Sequence, residues 1–355
     1  MPVSSRLNRL RAKGSKQRSA CPCMAASPRC PMNPEPMPSR RNLLRYLLAA
    51  PVAAGLPALS SCSSLPAAHR LDIASGEDGG MYFQFASLLS NALVDHGVAE
   101  HSTALNTQAS AQNLAMLAEN KAGLALALAD TVDQYRKDSA PQAQPLALGR
   151  VYQNYFHCII RTAAGISSLQ DLAGRTIGTG APGSGTWVTG QRILRAAKLK
   201  NRGIAPKELQ YGYVAGLEAL GKGSIDALFL FGGLPVASLS RLASTMDLGL
   251  LDVSAVLPQL RERYPDLYDG VVIPEGTYRG IKAVETIGVG NLLMARADMP
   301  EELAGAVVKL LVAHADQLVP ESSAGIQFLT PETLVSTGGQ PLHPGARKAY
   351  QELHG

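Results

Sequence analysis

DLAGRTIGTGAPGSGTWVTGQRILRAAKLK, residues 171–200, is the stretch whose reading decides the fold. A β-branched pair, Thr176–Ile177, enters a loop holding Gly178, Gly180, Gly183 and Gly185, and the chain then takes helical periodicity. Glycine permits the dihedrals and close approach that turn several backbone N–H groups toward one point. The first turn of the following helix adds N–H donors without intrahelical acceptors and the positive end of the helix dipole. Such a corner prefers a carboxylate, phosphate or sulfate. Ser184 and Thr186 stand where they can cap the helix or give a hydroxyl to a ligand.

Three nucleotide or hydrolase readings fail on spacing. Gly178-x-Gly180-x-x-Gly183 fits a dinucleotide fingerprint, but position 203, twenty residues past Gly183, is Gly rather than an acid. A phosphate-binding loop needs Lys where Ser184 stands. The G-x-S-x-G spacing of a nucleophile elbow is absent.

Outward from this loop, the same strand–glycine–helix pattern recurs. Arg70–Ser75 reads as a first strand ending in Gly76-Glu-Asp-Gly79-Gly80, and Met81–Leu93 as a helix with Phe85, Leu88, Leu89 and Leu93 on one side. Tyr82 sits at its start as a flat wall and hydroxyl. Thr107–Asn120 reads as a helix with Thr107 or Ser110 as cap, and Leu124–Leu128 as a buried strand ending at Asp130. Strand ends are where open α/β sheets place ligand contacts, which makes Ser110, Asn113 and Asp130 candidates. Val151–Arg161 is a further apolar strand, in which His157 reads as a satisfied, partly buried histidine and Cys158 as a small core residue. Glu208–Val214 reads as a strand, Gly216–Gly223 as a short helix and Ala227–Phe231 as a buried strand opening at Gly232-Gly233, with Phe231 able to stack on a ligand or fill the core. Asp252–Tyr264 reads as a helix, Ile273–Tyr278 as an extended connector, and Thr286–Ala295 as a strand before a helix from Pro300. No metal-ligand spacing and no nucleophile with a base and orienter appear in the pattern, so the expectation is binding without turnover, with no metal, cofactor or catalytic residue.

The N-terminal end has a different character. The 355-residue chain carries +5, but residues 1–61 hold ten Arg and Lys against Glu35, a net of +9, which leaves the remainder at −4 with no basic patch for nucleic acid. Residues 1–36 read as a disordered arm or an extension from a misassigned start ahead of Met37. Residues 37–61 have the basic region, apolar run and small-residue exit of an export signal. Ser39–Leu44 resembles a twin-arginine motif, leaving folded-state or general export open, and Leu59-Ser60-Ser61-Cys62 resembles a lipobox, with an ordinary cleaved signal as the alternative. A lipid on Cys62, followed by a linker over 62–69, would tether the protein without a spanning helix.

Eight segments together carry a family resemblance: SGEDGGMY (75–82), SAQNL (110–114), SLQDLAGRTIGTGAPGSGT (168–186), FLFGGLP (229–235), YPDLY (264–268), IPEGTYRG (273–280), GVGNLL (288–293) and LHPGA (342–346). In this order they resemble the TAXI-type solute receptors of tripartite ATP-independent periplasmic (TRAP) transporters, over roughly residues 70–355. The resemblance implies a type II periplasmic-binding-protein fold, α/β, with two lobes, a hinge and a ligand cleft between them: lobe one from 70–160 plus 275–355, lobe two from 161–274. It implies a periplasmic protein that hands a small carboxylate, a glutamate- or glutamine-like amino acid or a dicarboxylate, to TRAP membrane permease subunits. It assigns ligand contacts to Gly80, Tyr82, Ser110, Asn113, Gly183, Ser184, Gly185, Thr186 and Phe231. Glu77 and Asp78 depart from the small neutral residues usual in the first loop, and would repel an anion or meet an ammonium group. Two other readings stay open: an exported nucleotide-sugar or transferase enzyme using the glycine-rich cleft, and a lipoprotein that senses a solute without transporting it.

Overall fold

The computed structural model describes residues 67–140, 144–199, 204–320 and 329–354. The export-signal, lipobox and Cys62 expectations lie outside these residues.

The elements in chain order are β1 (Ala68–Arg70), β2 (Ile73–Ala74), α1 (Met81–Asp95), β3 (Ala99–His101), β4 (Ala104–Leu105), α2 (Ser110–Ala118), β5 (Leu124–Leu128), α3 (Ala129–Asp138) and β6 (Leu146–Arg161). Next come β7 (Thr176–Gly178), α4 (Gly185–Ala196), β8 (Lys207–Leu209), α5 (Tyr213–Gly221), β9 (Ala227–Gly232), α6 (Ala237–Thr245), β10 (Leu248–Leu250), α7 (Leu257–Arg263), β11 (Asp269–Ile273), β12 (Val284–Ala295), α8 (Glu301–Ala313), α9 (Pro331–Leu334) and α10 (Pro344–Leu353).

Ten strands form one mixed sheet in the order β4-β2-β5-β12-β6-β9-β7-β8, with β10 added along β6 and β11 along β12. β6 and β12 are long and almost wholly buried, as expected of strands covered on both faces, with a largely apolar sequence interrupted by Arg150, Gln153, Asn154 and His157 in β6 and by Asn291 in β12. They pair antiparallel from Leu146–Ala295 to Tyr155–Gly288. At Tyr155 β6 changes partner and continues against β9, so each half of this strand belongs to a different α/β half of the molecule. β2 and β5 are parallel in the first half, β7 and β9 in the second, each served by crossover helices. One apolar core, containing Leu128, Phe156, Ile177, Ile193, Phe229 and Val289, runs through both halves. A second packs α1, α8 and α10 on the first half, and a third packs α5 and α6 on the other. Among the described residues no helix is long and apolar enough to cross a membrane.

Some elements differ from their sequence reading. The strand expected over Glu208–Val214 stops at Leu209, because Gly212 serves as the N-cap position of α5 and Tyr213 is already helical. Ile273 ends β11 rather than opening a connector. The helix expected at Asp252 begins with a 3-10 turn over Ser254–Val256 and becomes regular at Leu257. α3, α6, β10 and the short edge strands β3 and β4 carry too few apolar residues in period to announce themselves.

Cys158 sits as read, a buried core residue of β6, while His157 is satisfied as read but fully rather than partly buried. The Val236 N–H donates to the Tyr278 hydroxyl (3.0 Å), which donates to His157 Nε2 (2.9 Å), while His157 Nδ1–H donates to the Tyr155 carbonyl (2.9 Å). Burial pushes the imidazole pKa down to about 4, so the ring is neutral and the chain of donors is consistent along its length. The folded-state pKa lies below the ordinary value of 6.5, so this group's contribution is present above that value and is lost as pH falls toward 4; its ceiling is about 3 kcal/mol. His157→Gln keeps one donor and one acceptor without a titration. Thermal midpoints measured from pH 7 to pH 4.5 are expected to fall less steeply in this variant than in the parent; equal slopes would show that His157 does not govern the acid limb.

Candidate functional site

A cavity of about 140 Å³ lies at the meeting of the two halves. The starts of five helices line it: Gly80–Tyr82 of α1, Ala109–Ser110 of α2, Ser184–Thr186 of α4, Gly212–Tyr213 of α5 and Val236–Ala237 of α6. Four of the five have no side-chain cap, and in α4 Ser184 accepts only the Trp187 N–H (3.2 Å). Each start presents N–H donors and a fraction of positive charge. Among the described lining residues there is no Lys, Arg or His, and Glu77 is the one carboxylate. The positive partial charge that these helix starts bring to the cavity is a property of the backbone.

The loop at 178–185 is built by steric necessity at two positions. Gly180 has φ +89°, and a Cβ there would fall 2.8 Å from Ser184 Oγ and from Thr186 Cβ. At Gly185 a Cβ would fall 2.4 Å from Leu128 Cδ1, so the start of α4 in one half rests directly on the end of β5 in the other. The Thr186 hydroxyl accepts the Phe231 N–H (3.3 Å), joining α4 to β9. Phe231 is half-buried and edge-on to Phe156, with ring centroids 5.3 Å apart.

On the facing wall, Ser110 Oγ accepts the Leu128 N–H (3.2 Å) and lies 3.2 Å from the Tyr82 hydroxyl. Burial raises the Tyr82 phenol above its ordinary range, which keeps it a neutral donor. The Glu77 carboxylate reaches across to Gly212, where a Cβ would lie 2.6 Å from its Oε1, so it stands at the positive end of α5.

Of the nine expected contacts, Gly80, Tyr82, Ser110, Ser184, Gly185, Thr186 and Phe231 line the cavity. Asn113 and Gly183 do not. Asn113 is fully buried, accepts from the Thr107 hydroxyl (2.6 Å) and donates to the carbonyls of Ser75 (2.5 Å) and Leu126 (2.7 Å), so it ties β2 to β5. Gly183 has φ +72° and abuts Ala111 instead of the cavity. Sequence reasoning passed over Tyr211, Tyr213 and Asn154. The signal for the tyrosines was another glycine at a helix start, YGY at 211–213, and for Asn154 a polar residue inside a buried strand. Asn154 is 2% exposed, lines the cavity from β6 and has a buried Oδ1 without a partner.

Asp130 is not at the cavity wall but in the first turn of α3, where it joins the halves. Its Oδ2 accepts from Thr189 Oγ1 (2.5 Å) on α4 and from the Tyr268 hydroxyl (2.9 Å). The buried Arg192, also on α4, donates to the Tyr268 hydroxyl (3.1 Å), to the Asp130 carbonyl (3.3 Å) and to Asp133 (3.3 Å), with its guanidinium 3.9 Å over the Tyr264 ring. Burial raises the Asp130 carboxyl pKa, opposed by Arg192 and by the hydroxyls of Thr189, Tyr268 and Thr131.

Two α/β halves around one cavity, joined by two long strands, define a binding-protein architecture. The chain belongs to the NMT1-like family, whose sequence profile matches residues 73–353. Among solved structures, the periplasmic binding protein BugD is similar with a TM-score of 0.51 at 11% identity, over 80% of this chain and 95% of that one. A Xanthomonas citri protein bound to ATP matches at TM-score 0.43 and 16% identity, covering 81% and 96% of the two chains. The alkanesulfonate-binding protein SsuA from Xanthomonas axonopodis pv. citri, bound to MOPS, matches at 0.44 and 14%, covering 81% and 85%. The fold is that of the two-lobed periplasmic binding proteins.

Gly185→Val tests the contact between the halves. The added atoms meet Leu128 and Ser110 only when the halves touch, so the variant is expected to keep its thermal midpoint within a few degrees yet show a larger radius of gyration by small-angle scattering. An unchanged radius would mean that the contact at Gly185 does not hold the halves together.

Proposed function

We propose that this chain is an extracytoplasmic solute-binding protein of the TAXI type, which closes its two lobes on a small carboxylate and delivers it to a TRAP membrane permease. The observation that carries the reading is the set of five helix starts around one cavity that, among the described residues, is lined by no basic side chain. Those N–H groups can hold one carboxylate by charge-assisted hydrogen bonds. A cavity of about 140 Å³ suits a small solute such as an amino acid. Glu77 selects among carboxylates: it faces the ammonium group of an amino acid and repels the second charge of a dicarboxylate. Gly80, Tyr82, Ser110, Ser184, Gly185, Thr186 and Phe231 supply the contacts, with Asn154 added from the hinge strand.

The eight ordered segments, SLQDLAGRTIGTGAPGSGT (168–186) chief among them, support the TAXI assignment and with it the lobes 70–160 plus 275–355 and 161–274. β6 and β12 act as the hinge between them. The leader over 37–61 supports export and Cys62 a lipid anchor.

A thermal-shift screen of residues 63–355 against amino acids, 2-oxo acids, dicarboxylates and nucleotides tests the ligand class. A true ligand at a hundredfold excess over its dissociation constant stabilises by about 2.7 kcal/mol. Shifts with amino acids, abolished by Glu77→Gln while any 2-oxo acid shift grows, are the expected result; shifts confined to nucleotides would overturn the receptor reading in favour of an enzyme.

The anchor is tested separately. Cys62→Ser in the full chain is expected to move the protein from the membrane fraction to the soluble extracytoplasmic fraction, and retention in membranes would refute lipidation at Cys62.

A further inference from the structure

Away from the cavity, β1 and β3 form a separate two-stranded parallel ladder, registered Ala68 to Ala99 and Arg70 to His101. It is held by the Ala68 N–H to the Val98 carbonyl (3.0 Å) and the Leu71 N–H to the His101 carbonyl (2.9 Å). This ladder brings three potential metal ligands together from positions about thirty residues apart in sequence: His69 on β1, and Glu100 and His101 on β3. One ring nitrogen from each histidine and one Glu100 oxygen all lie within 4.8 Å of one another. His69 Nδ1 is 2.7 Å from Glu100 Oε2, and the two imidazole rings meet edge to face with centroids 5.6 Å apart.

We propose that His69, Glu100 and His101 form a surface site for a divalent transition metal of the zinc class, which pins the first strand of the fold to β3. Two imidazoles and one carboxylate are a borderline nitrogen and oxygen donor set that suits Zn(II), Cu(II) or Ni(II) and is poor for Ca(II) or Mg(II), which take oxygen ligands. Tetrahedral zinc with bonds of about 2.0–2.1 Å places its ligand atoms about 3.4 Å apart. The 4.8 Å span has about 1.4 Å to close, and the exposed side chains that would close it, His69 and Glu100 being 83% and 56% exposed, are not held by packing. Three protein ligands leave the remaining position to water. The nearest cation along the strand, Arg70, is neutralised by Asp72 at 2.6 Å and so does not oppose a bound dication. The site has a mechanical meaning through its place in the chain. β1 has three residues and is the first described strand after the segment that begins at Cys62, so a metal bridging it to β3 fastens the edge of the fold where the chain enters it. A second histidine pair, His96 stacked on His314 at 3.5 Å, brings no carboxylate and serves as the internal control.

The experiment is calorimetric titration with zinc sulfate of the EDTA-treated full chain in which Cys21, Cys23, Cys30 and Cys62 are replaced by Ser, which removes thiol binding. One equivalent is expected to bind, at least tenfold more weakly in Glu100→Gln, and not at all in the His69→Ala, His101→Ala double variant. Binding is expected to persist in His96→Ala, and calcium is expected to give no heat. Zinc should raise the thermal midpoint of the parent and leave that of the double variant unmoved. Far-UV circular dichroism keeps the result independent of folding, since the three side chains are exposed. Absence of a one-to-one zinc isotherm, or an isotherm that survives the double variant, overturns the proposal.

Discussion

The antiparallel pairing of β6 with β12 is the constraint from which the rest of the structure follows. Both strands are buried along nearly their whole length, and each serves two α/β halves, so neither half has a sheet of its own. Their ladder contains register shifts at Asn291/Leu292 and Leu293/Met294, on the side of the first half. Irregularities of this kind bend a strand and increase local twist, which lets one ladder leave one half and enter the other at an angle. Asn154 and His157 lie on β6, and the hydrogen-bond chain from His157 through Tyr278 to the Val236 N–H ties that strand to the start of α6, so this part of the cavity wall and the start of α6 share one strand as support.

Given that frame, the cavity's chemistry is set by which ends of the helices face it. Strand, glycine, helix repeated in both halves aims helix starts at the space between them, and among the described lining residues the positive partial charge there comes from these starts and not from a cationic side chain. A field made of backbone dipoles is fixed in direction and costs little to preorganise, unlike one built from lysine or arginine side chains that must be ordered. The halves are held together away from the cavity by the opposite strategy. Asp130, Thr189, Arg192 and Tyr268 form a buried network in which the carboxylate, hydroxyls and guanidinium meet across the junction. Breaking such a network by opening would expose its charges to water, which repays much of the lost pairing, so a junction of this kind tolerates repeated separation better than an apolar seal of equal area.

The sequence made the corners legible and the connections less so. Gly180, Ser184, Gly185 and Thr186 could be found because glycine and hydroxyl residues at a strand-to-helix turn have few other uses, and Ser184 caps α4 as its position suggested. The long strands were visible as apolar runs, although β6 begins at Leu146, ahead of the break that Gly149 and Arg150 put in its pattern. Asn113 misled for a physical reason: a buried amide that bonds two backbone carbonyls looks, in one dimension, like an amide available to a ligand. Tyr211, Tyr213 and Asn154 were passed over because their place at the cavity depends on the pairing of strands distant in the chain, which no local pattern encodes. Asp130 carried the right chemistry with the wrong address, since a carboxylate at a strand end can face either a ligand or the other half of the molecule.

One feature of the sheet bears on how the molecule comes into being. β12 lies between β5 and β6, two strands that precede it by more than a hundred residues and do not pair with each other. While the chain is being made, β5 and β6 therefore wait with a vacant slot between them and apolar faces uncovered until Val284–Ala295 arrives. Completion of the N-terminal half is among the last events of synthesis, and a chain cut short before β12 leaves the facing edges of β5 and β6 unpaired. Closure of the sheet between β5 and β6 is thereby deferred to the nearly finished polypeptide, a kinetic property written into strand order.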